Sequence, residues 1–148
     1  MVSFPELPPP EHWLFKLGVA SPLKATIEGT GVGAIRRCEF TTGAFVEPIT
    51  HWQAPVHLGF SVNENPPSMT ELSFYDHVYA PHLNGFFRST KGEFRLTDLG
   101  NSVTLLEGRT WYQVDIHPGW YWQIYCRYLI HLIHSRVLNH IGVISEVS

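Results

Sequence analysis

The chain has 148 residues with a formal net charge of −3, and only 16% of the residues are charged. That length corresponds to one domain, and 44% hydrophobic residues suffice for a buried core, which excludes an ordinary disordered chain. No basic cluster is larger than the pair Arg36–Arg37, so duplex nucleic acid is not expected as a partner, because phosphate binding needs a concentrated basic face.

The predicted elements begin with an extended lead-in and one short helix. Residues 1–10 are proline-rich, and residues 11–148 are predicted to form a single domain. Residues 11–19 show helical spacing, with Trp13 and Leu17 four residues apart. The hydrophobic period then changes from 3.6 to 2, which indicates antiparallel strands. Six strands are predicted, at 24–29, 34–40, 45–52, 56–62, 85–96 and 102–116.

Two further segments complete the predicted order. Residues 63–84 contain three prolines and no clear period, and they carry too many apolar side chains for a plain solvated loop. A connection of that length inside a compact domain is usually a lid or a binding loop. Residues 120–147 are predicted to form one long, mostly uncharged helix. We therefore predict an α+β fold in which a long C-terminal helix covers one face of an antiparallel sheet.

Four segments of the chain carry a family resemblance. They are residues 38–49 (CEFTTGAFVEPI), residues 86–96 (FFRSTKGEFRL), residues 106–112 (LEGRTWY) and the helix segment from Tyr121-Trp122 through 138. Together they resemble the START-like, or SRPBCC, superfamily, in the branch of polyketide cyclases and lipid-transport proteins. The resemblance implies a helix-grip fold, in which a curved sheet wraps around the C-terminal helix. It also implies a cavity for an apolar ligand such as a lipid, a sterol or a polyketide.

The resemblance further implies a gate loop at the cavity mouth, and residues 63–84 lie where that loop would fall. The candidate gate residues are Phe74, Tyr75, His77, Tyr79 and His82. One departure concerns the start of the domain, which in the superfamily usually has a strand and two helices. Only about two dozen residues precede Lys24. We therefore expect the usual first strand to be missing, replaced by a partner chain, or supplied by a larger parent protein.

Apolar residues on the inward faces of the strands and the long helix are predicted to line the cavity. They are Leu58, Phe60, Val62, Phe86, Phe94, Trp111, Tyr112, Trp122, Cys126, Leu129 and Ile133. Trp111 and Tyr112 are neighbours in one strand and face opposite sides of the sheet. The alternation leaves open which of the two rings points inward.

Two charged residues are added to the predicted ligand site. Glu47 shares a strand face with Phe45, and Arg88 has the same parity as Phe86. A buried carboxylate needs a compensating partner. A Glu47–Arg88 pair, or contact of these groups with a ligand headgroup, is therefore a hypothesis.

Other patterns give weaker indications of chemistry. Residues 29–33 (GTGVG) lack the spacing of a phosphate loop and precede a strand, so we interpret them as a turn. His131 and His134 are three residues apart, but no third metal ligand follows from the spacing. Cys38 and Cys126 are interpreted as packing residues. No metal site, cofactor or catalytic residue is predicted.

The favoured function is the binding or carriage of a small apolar ligand without catalysis. One alternative is an enzyme of the polyketide cyclase or aromatase type, which would need convergent polar groups in the cavity. Another is a non-catalytic interaction module of a larger protein. Contact with a second copy or with a parent protein is expected through the sheet edge or the long helix, and membrane contact has no direct support. Two cysteines and no evident signal peptide favour a cytoplasmic protein.

Overall fold

A computed structural model describes residues 3–69 and 86–147 of the chain. It confirms the predicted order of a short helix, six antiparallel strands and a long C-terminal helix. The elements are α1 (Trp13–Lys16), β1 (Pro22–Glu28), β2 (Ile35–Phe40), β3 (Gly43–Gln53), β4 (His57–Ser61), β5 (Phe87–Gly100), β6 (Val103–Val114) and α2 (Gly119–Val147).

The strands form one sheet in the order β1-β2-β3-β4-β5-β6, so each strand pairs with its neighbour in sequence. Two of the connections are tight turns. Thr41 and Thr42 link β2 to β3, with Phe40 opposite Gly43. Asn101 and Ser102 link β5 to β6, and both have positive φ values, 52° and 62°. Two consecutive residues with positive φ are typical of the type I′ hairpin turn, whose twist matches that of the flanking strands.

The sheet curls around α2, which lies across its concave face. Helix α2 has 29 residues and is therefore about 44 Å long. Its buried residues are Cys126, Val137 and Ile141, which are separated by intervals compatible with one helical face. Within the described residues, no helix combines the length and the apolar character that are needed to cross a membrane.

Helix α1 is shorter than predicted and packs under α2. It begins after His12, whose Nδ1 accepts a hydrogen bond from the Leu14 backbone N–H at 3.3 Å. It ends before Gly18, which has a φ of 92° that ordinary residues avoid. Leu14 and Phe15 are buried and form a cluster with apolar residues of α2. This cluster holds the short helix against the long one.

The lead-in runs along the outer edge of β1, and we call residues 3–10 the strap. The Phe4 N–H donates to the Ala25 carbonyl at 3.1 Å, and the Ala25 N–H donates to the Phe4 carbonyl at 3.2 Å. The Leu7 N–H donates to the Leu23 carbonyl at 2.7 Å. Phe4 and Leu7 are both buried in the core cluster that contains Ala25. The strap therefore satisfies part of the β1 edge within the same chain.

Candidate ligand-binding site

A cavity of about 360 Å³ lies between the concave face of the sheet and α2. Its wall is built from the strap, the sheet, residues 66–69 and α2. Most of the wall is aromatic or aliphatic. Its aromatic members are Phe4, Phe40, Phe45, Phe60, Phe86, Phe87, Phe94, Trp122 and Tyr125.

Eight residues of the predicted ligand site lie in this wall. They are Glu47, Phe60, Phe86, Phe94, Trp122, Cys126, Leu129 and Ile133. Leu58 and Val62 lie beside the cavity instead, where they pack in the solid core around Ile49. The inward parity of β4 was thus inferred correctly, but the sheet's curl separates positions that touch the cavity from positions that pack against other side chains.

Arg88 lies outside the wall because β5 contains a β-bulge. The register passes from Ser89 opposite Tyr112 to Lys91 opposite Trp111, which leaves Thr90 as the extra residue. An extra residue exchanges the two faces of a strand beyond it. Arg88 is exposed as a result. Trp111 lies outside the wall for a different reason: Thr110 of β6 faces the cavity, so its neighbour Trp111 faces the other side of the sheet. Trp111 is 39% exposed, and the Lys91 Nζ lies 4.2 Å from its ring centroid.

Tyr112 takes the inner face of β6 but stands beyond the cavity. Its ring centroid lies 5.3 Å from that of Phe87, which does line the cavity. Burial raises the pKa of the Tyr112 hydroxyl, and neighbouring Cys126 acts in the same direction. The structure therefore resolves the parity of this strand in favour of Tyr112 as the inward ring.

The predicted gate residues Phe74, Tyr75, His77, Tyr79 and His82 all lie outside the described residues. The described start of the same segment, residues 66–69, forms part of the wall. Asn65 anchors it, because its side chain accepts from the Ser89 N–H at 2.8 Å and donates to the Ser89 carbonyl at 3.1 Å. The Thr42 hydroxyl also donates to the Pro67 carbonyl at 2.6 Å.

A buried ion pair between Arg36 and Glu47 stands in the wall. The tight turn at Thr41 and Thr42 places Phe40 opposite Gly43, and counting back along both strands brings Arg36 directly opposite Glu47. The Arg36 Nη1 donates to the Glu47 Oε2. The two side chains are only 3% and 8% exposed. The hypothesis of a Glu47–Arg88 pair is therefore wrong, and Arg36 is the residue that compensates the buried carboxylate.

Aromatic rings surround the Arg36 guanidinium. Its Cζ lies 5.2 Å from the ring centroid of Phe60, 5.5 Å from that of Phe94 and 6.0 Å from that of Phe4. These distances fall within the range of cation–π attraction. Gly92 makes the arrangement possible, because a Cβ at that position would lie 2.6 Å from the Phe60 ring. The Glu47 carboxylate therefore compensates the charge of Arg36, and the aromatic rings stabilise the guanidinium further.

Burial controls the protonation of this group of side chains. Burial is the largest single influence on the pKa of Arg36 and lowers it, but the attraction and hydrogen bonding to Glu47 and Cys38 together outweigh burial, so the pKa of Arg36 is raised overall. Burial raises the pKa of Glu47, and Arg36 opposes that rise. Burial also raises the pKa of the Cys38 thiol to about 12, against the opposing effect of Arg36. Cys38 is therefore a thiol at neutral pH and not a nucleophile.

A second polar pair in the wall joins Thr110 of β6 to His134 of α2, with the Thr110 Oγ1 and the His134 Nε2 2.8 Å apart. Burial lowers the pKa of His134, and His131 lowers it further. The ring is therefore neutral at neutral pH. Whichever tautomer is present, the Thr110 hydroxyl can make another hydrogen bond, because a hydroxyl has one donor and two acceptor sites.

The chain matches no protein-family model, no curated protein and no solved structure. Among residues 3–69 and 86–147, no group of three or more His, Cys, Asp or Glu side chains is arranged to hold a metal ion. His131 is exposed, whereas His134 faces the cavity, so the two histidines do not act on one common site.

Sequence analysis missed Arg36, and a usable signal was present. Arg36 alternates with Cys38 and Phe40 on one face of β2, which marks that face as the apolar one. The tight turn that follows β2 also determines which residue of β3 is opposite Arg36. Phe4 and the Thr110–His134 pair were missed as well. No local pattern could have revealed them, because both depend on contacts between distant parts of the chain.

Proposed function

We propose that this chain is a START-like domain that binds or carries a small apolar ligand in the cavity between the sheet and α2. The observation that carries the proposal is the cavity of about 360 Å³. Ligand pockets commonly have volumes of about 300–1,000 Å³. Protein interiors otherwise contain few voids larger than a water molecule, so a space of this size in a small domain supports the binding of an occupant.

The character of the wall supports an apolar occupant. The wall is rich in phenylalanine, and its only described ion pair is internal, between Arg36 and Glu47. An empty apolar cavity of this volume would cost several kcal/mol, on the order of 20 cal/mol per Å³. A ligand that fills the space restores the lost contacts between apolar atoms.

The Thr110–His134 pair supplies a neutral polar position in the same wall. A small number of placed polar groups in an apolar pocket usually orients the ligand. We therefore assign to Thr110 a hydrogen bond with a hydroxyl or carbonyl group of the ligand. A charged headgroup is disfavoured here, because the His134 ring is neutral and Glu47 and Arg36 already compensate each other.

The first experiment is native mass spectrometry of freshly purified protein, followed by denaturing extraction of any bound molecule. We expect a stoichiometric apolar molecule. The second step is titration of the extracted protein with a fluorescent single-chain fatty acid and with cholesterol. The proposal would be contradicted if no molecule were bound to the purified protein and if neither probe bound to it. Turnover of a polyketide-like substrate without retention would instead favour the cyclase alternative.

Two matched variants locate the binding site. Ile130 lines the cavity, whereas Ile124 of the same helix is 65% exposed. Ile130→Trp should reduce ligand occupancy at least about tenfold, because the larger side chain fills the space, at a stability cost of about 1–3 kcal/mol. Ile124→Trp should leave occupancy unchanged. Equal occupancy in the two folded variants, checked by circular dichroism, would place the ligand elsewhere.

A further inference from the structure

The two edges of the sheet differ. At one edge the strap hydrogen-bonds to β1. At the other edge, β6 pairs with β5 on one side, and no strand among residues 3–69 and 86–147 pairs with its other side. β6 is 12 residues long. A long open edge is a template for pairing with another strand, and proteins usually protect such an edge or use it.

The outer face of β6 carries exposed apolar side chains next to charges. Val103 is 53% exposed, Leu105 is 44% exposed and Trp111 is 39% exposed. Glu107 and Arg109 lie between Leu105 and Trp111 on the same face. Natural edge strands usually avoid this combination of length and exposed apolar residues. The edge is therefore better suited to contact with protein than to contact with water.

The sequence of β6 is complementary to itself when two copies run antiparallel. If a twofold axis passes beside Gly108, residue numbers directly opposite each other sum to 216. Glu107 then faces Arg109 of the second copy, and Leu105 faces Trp111 of the second copy. Moving the axis by one residue in either direction would place Glu107 opposite Glu107, or Arg109 opposite Arg109. Directly opposed like charges are destabilising, so the charges favour the register centred on Gly108 over the registers one residue away on either side.

The neighbouring strand extends this complementarity. Within one chain, Glu93 is opposite Arg109 and Arg95 is opposite Glu107. The Arg109 Nη1 lies 3.5 Å from the Glu93 Oε1. In the register centred on Gly108, a row across four strands would read Glu93, Arg109, Glu107 of the second copy and Arg95 of the second copy. Every neighbour in that row has the opposite charge, and the twofold axis generates a second row of the same kind.

We propose that two copies of this chain associate through antiparallel pairing of β6 with β6, centred on Gly108, to form one continuous sheet. Such an interface is isologous, because the same strand contributes both surfaces. Backbone hydrogen bonds and the Leu105–Trp111 contacts supply the attraction, and the Glu107–Arg109 contacts set the register. The side chains of Leu105, Glu107, Arg109 and Trp111, on which the proposal depends, lie outside the cavity wall, so the proposal can fail or succeed independently of ligand binding.

The test uses charge reversal at two positions. Sedimentation equilibrium of the wild-type protein at concentrations up to about 0.1 mM should give twice the chain mass of 16.9 kDa. Glu107→Arg alone and Arg109→Glu alone should each raise the dissociation constant at least about tenfold, because each places like charges opposite each other. An equimolar mixture of the two variants should form a heterodimer with an affinity near that of the wild type, because opposite charges then face each other again.

The mixture separates the interface from effects on folding. Both substitutions also disturb the charges of β5, but those changes persist in the mixture, so recovery can arise only between chains. A wild-type monomer at the highest concentration would overturn the proposal. A dimer that both substitutions leave intact would also overturn it, and would direct attention to the exposed face of α2 around Ile124.

Cysteine cross-linking checks the register. Val103 of one copy lies opposite Gln113 of the other across the proposed interface. Val103 of one copy lies about 33 Å from Val103 of the other, because ten residues of extended strand separate the two positions. A mixture of Val103→Cys and Gln113→Cys chains should form a disulfide-linked heterodimer. Neither variant alone should cross-link through the new cysteine. Efficient cross-linking of Val103→Cys with itself would overturn the proposed register.

Discussion

Two ion pairs on neighbouring strands have the same local geometry and different surroundings. Arg36 and Glu47 are directly opposite each other across β2 and β3, and Lys24 and Glu39 are directly opposite each other across β1 and β2. The first pair is 3% and 8% exposed, whereas the second is 45% and 35% exposed. The comparison shows that strand register brings charges together, but that the face of the sheet decides what the contact contributes.

Arg36 and Glu47 form the inner pair, which lies in the apolar interior, where an uncompensated charge is costly. Transfer of a charged group from water to an apolar interior is unfavourable by several kcal/mol, and the partner charge restores much of that loss. Lys24 and Glu39 form the outer pair, which stays in contact with water. The attraction between its two charges is weak there and is screened by salt. Antiparallel pairing therefore produces an ion pair that the fold requires on the inner face of the sheet. On the outer face, it produces an ion pair that contributes little to stability.

The largest effect is expected from removal of one member of the inner pair. Glu47→Leu should lower the free energy of unfolding by about 3–5 kcal/mol, because the buried guanidinium loses the carboxylate that compensates its charge. Urea denaturation monitored by circular dichroism measures the change. The double variant Arg36→Met/Glu47→Leu should recover most of the loss, because an apolar pair of similar volume needs no compensation. A double variant as unstable as the sum of the two single variants would contradict this account.

The inner face should also suppress the reactivity of Cys38. Its pKa is raised to about 12, so alkylation by iodoacetamide at about pH 8.5 should be more than about a hundredfold slower in the folded protein than in urea. A Cys126→Ser background isolates the Cys38 signal in mass spectrometry. Rapid labelling of the folded protein would show that the thiol is not held in an apolar interior.

The same thiol makes stability depend on pH in a defined direction. The pKa of Cys38 is higher in the folded state than the ordinary value of 9.0. Its contribution to stability is therefore fully present below pH 9.0 and is lost as the pH rises toward 12. Cys38→Ala should flatten this part of the stability profile, measured by urea denaturation across the alkaline range.

The smallest effect is expected for the outer pair. Lys24→Ala should change the free energy of unfolding by less than about 1 kcal/mol, because the Lys24 Nζ and the Glu39 Oε2 are 3.5 Å apart in an exposed position. Urea denaturation of Lys24→Ala and of the wild type, at low and at high salt, measures this change in the free energy of unfolding. A loss comparable to that of Glu47→Leu would remove the contrast between the two faces.

The order of elements could be predicted because every strand pairs with its neighbour in sequence. Alternation identifies such strands, and short turns determine their pairing. The Thr41–Thr42 turn would also have identified Arg36 as the partner of Glu47, had the register been counted from it. Arg88 was misassigned for a different reason, since the bulge at Thr90 exchanges the faces of β5 and leaves no clear trace in the hydrophobic pattern.

The sequence by itself determined the six-strand meander, the long helix and the alternation that sorts residues onto two faces, because these depend on contacts between near neighbours. Only the tertiary structure decided which inward residues line the cavity and which fill the core. It also decided that the strap runs along β1, that Phe4 lies by Arg36 and that Thr110 meets His134. Those contacts join residues far apart in the chain, and they arise from the curl of the sheet around α2, which no local period encodes.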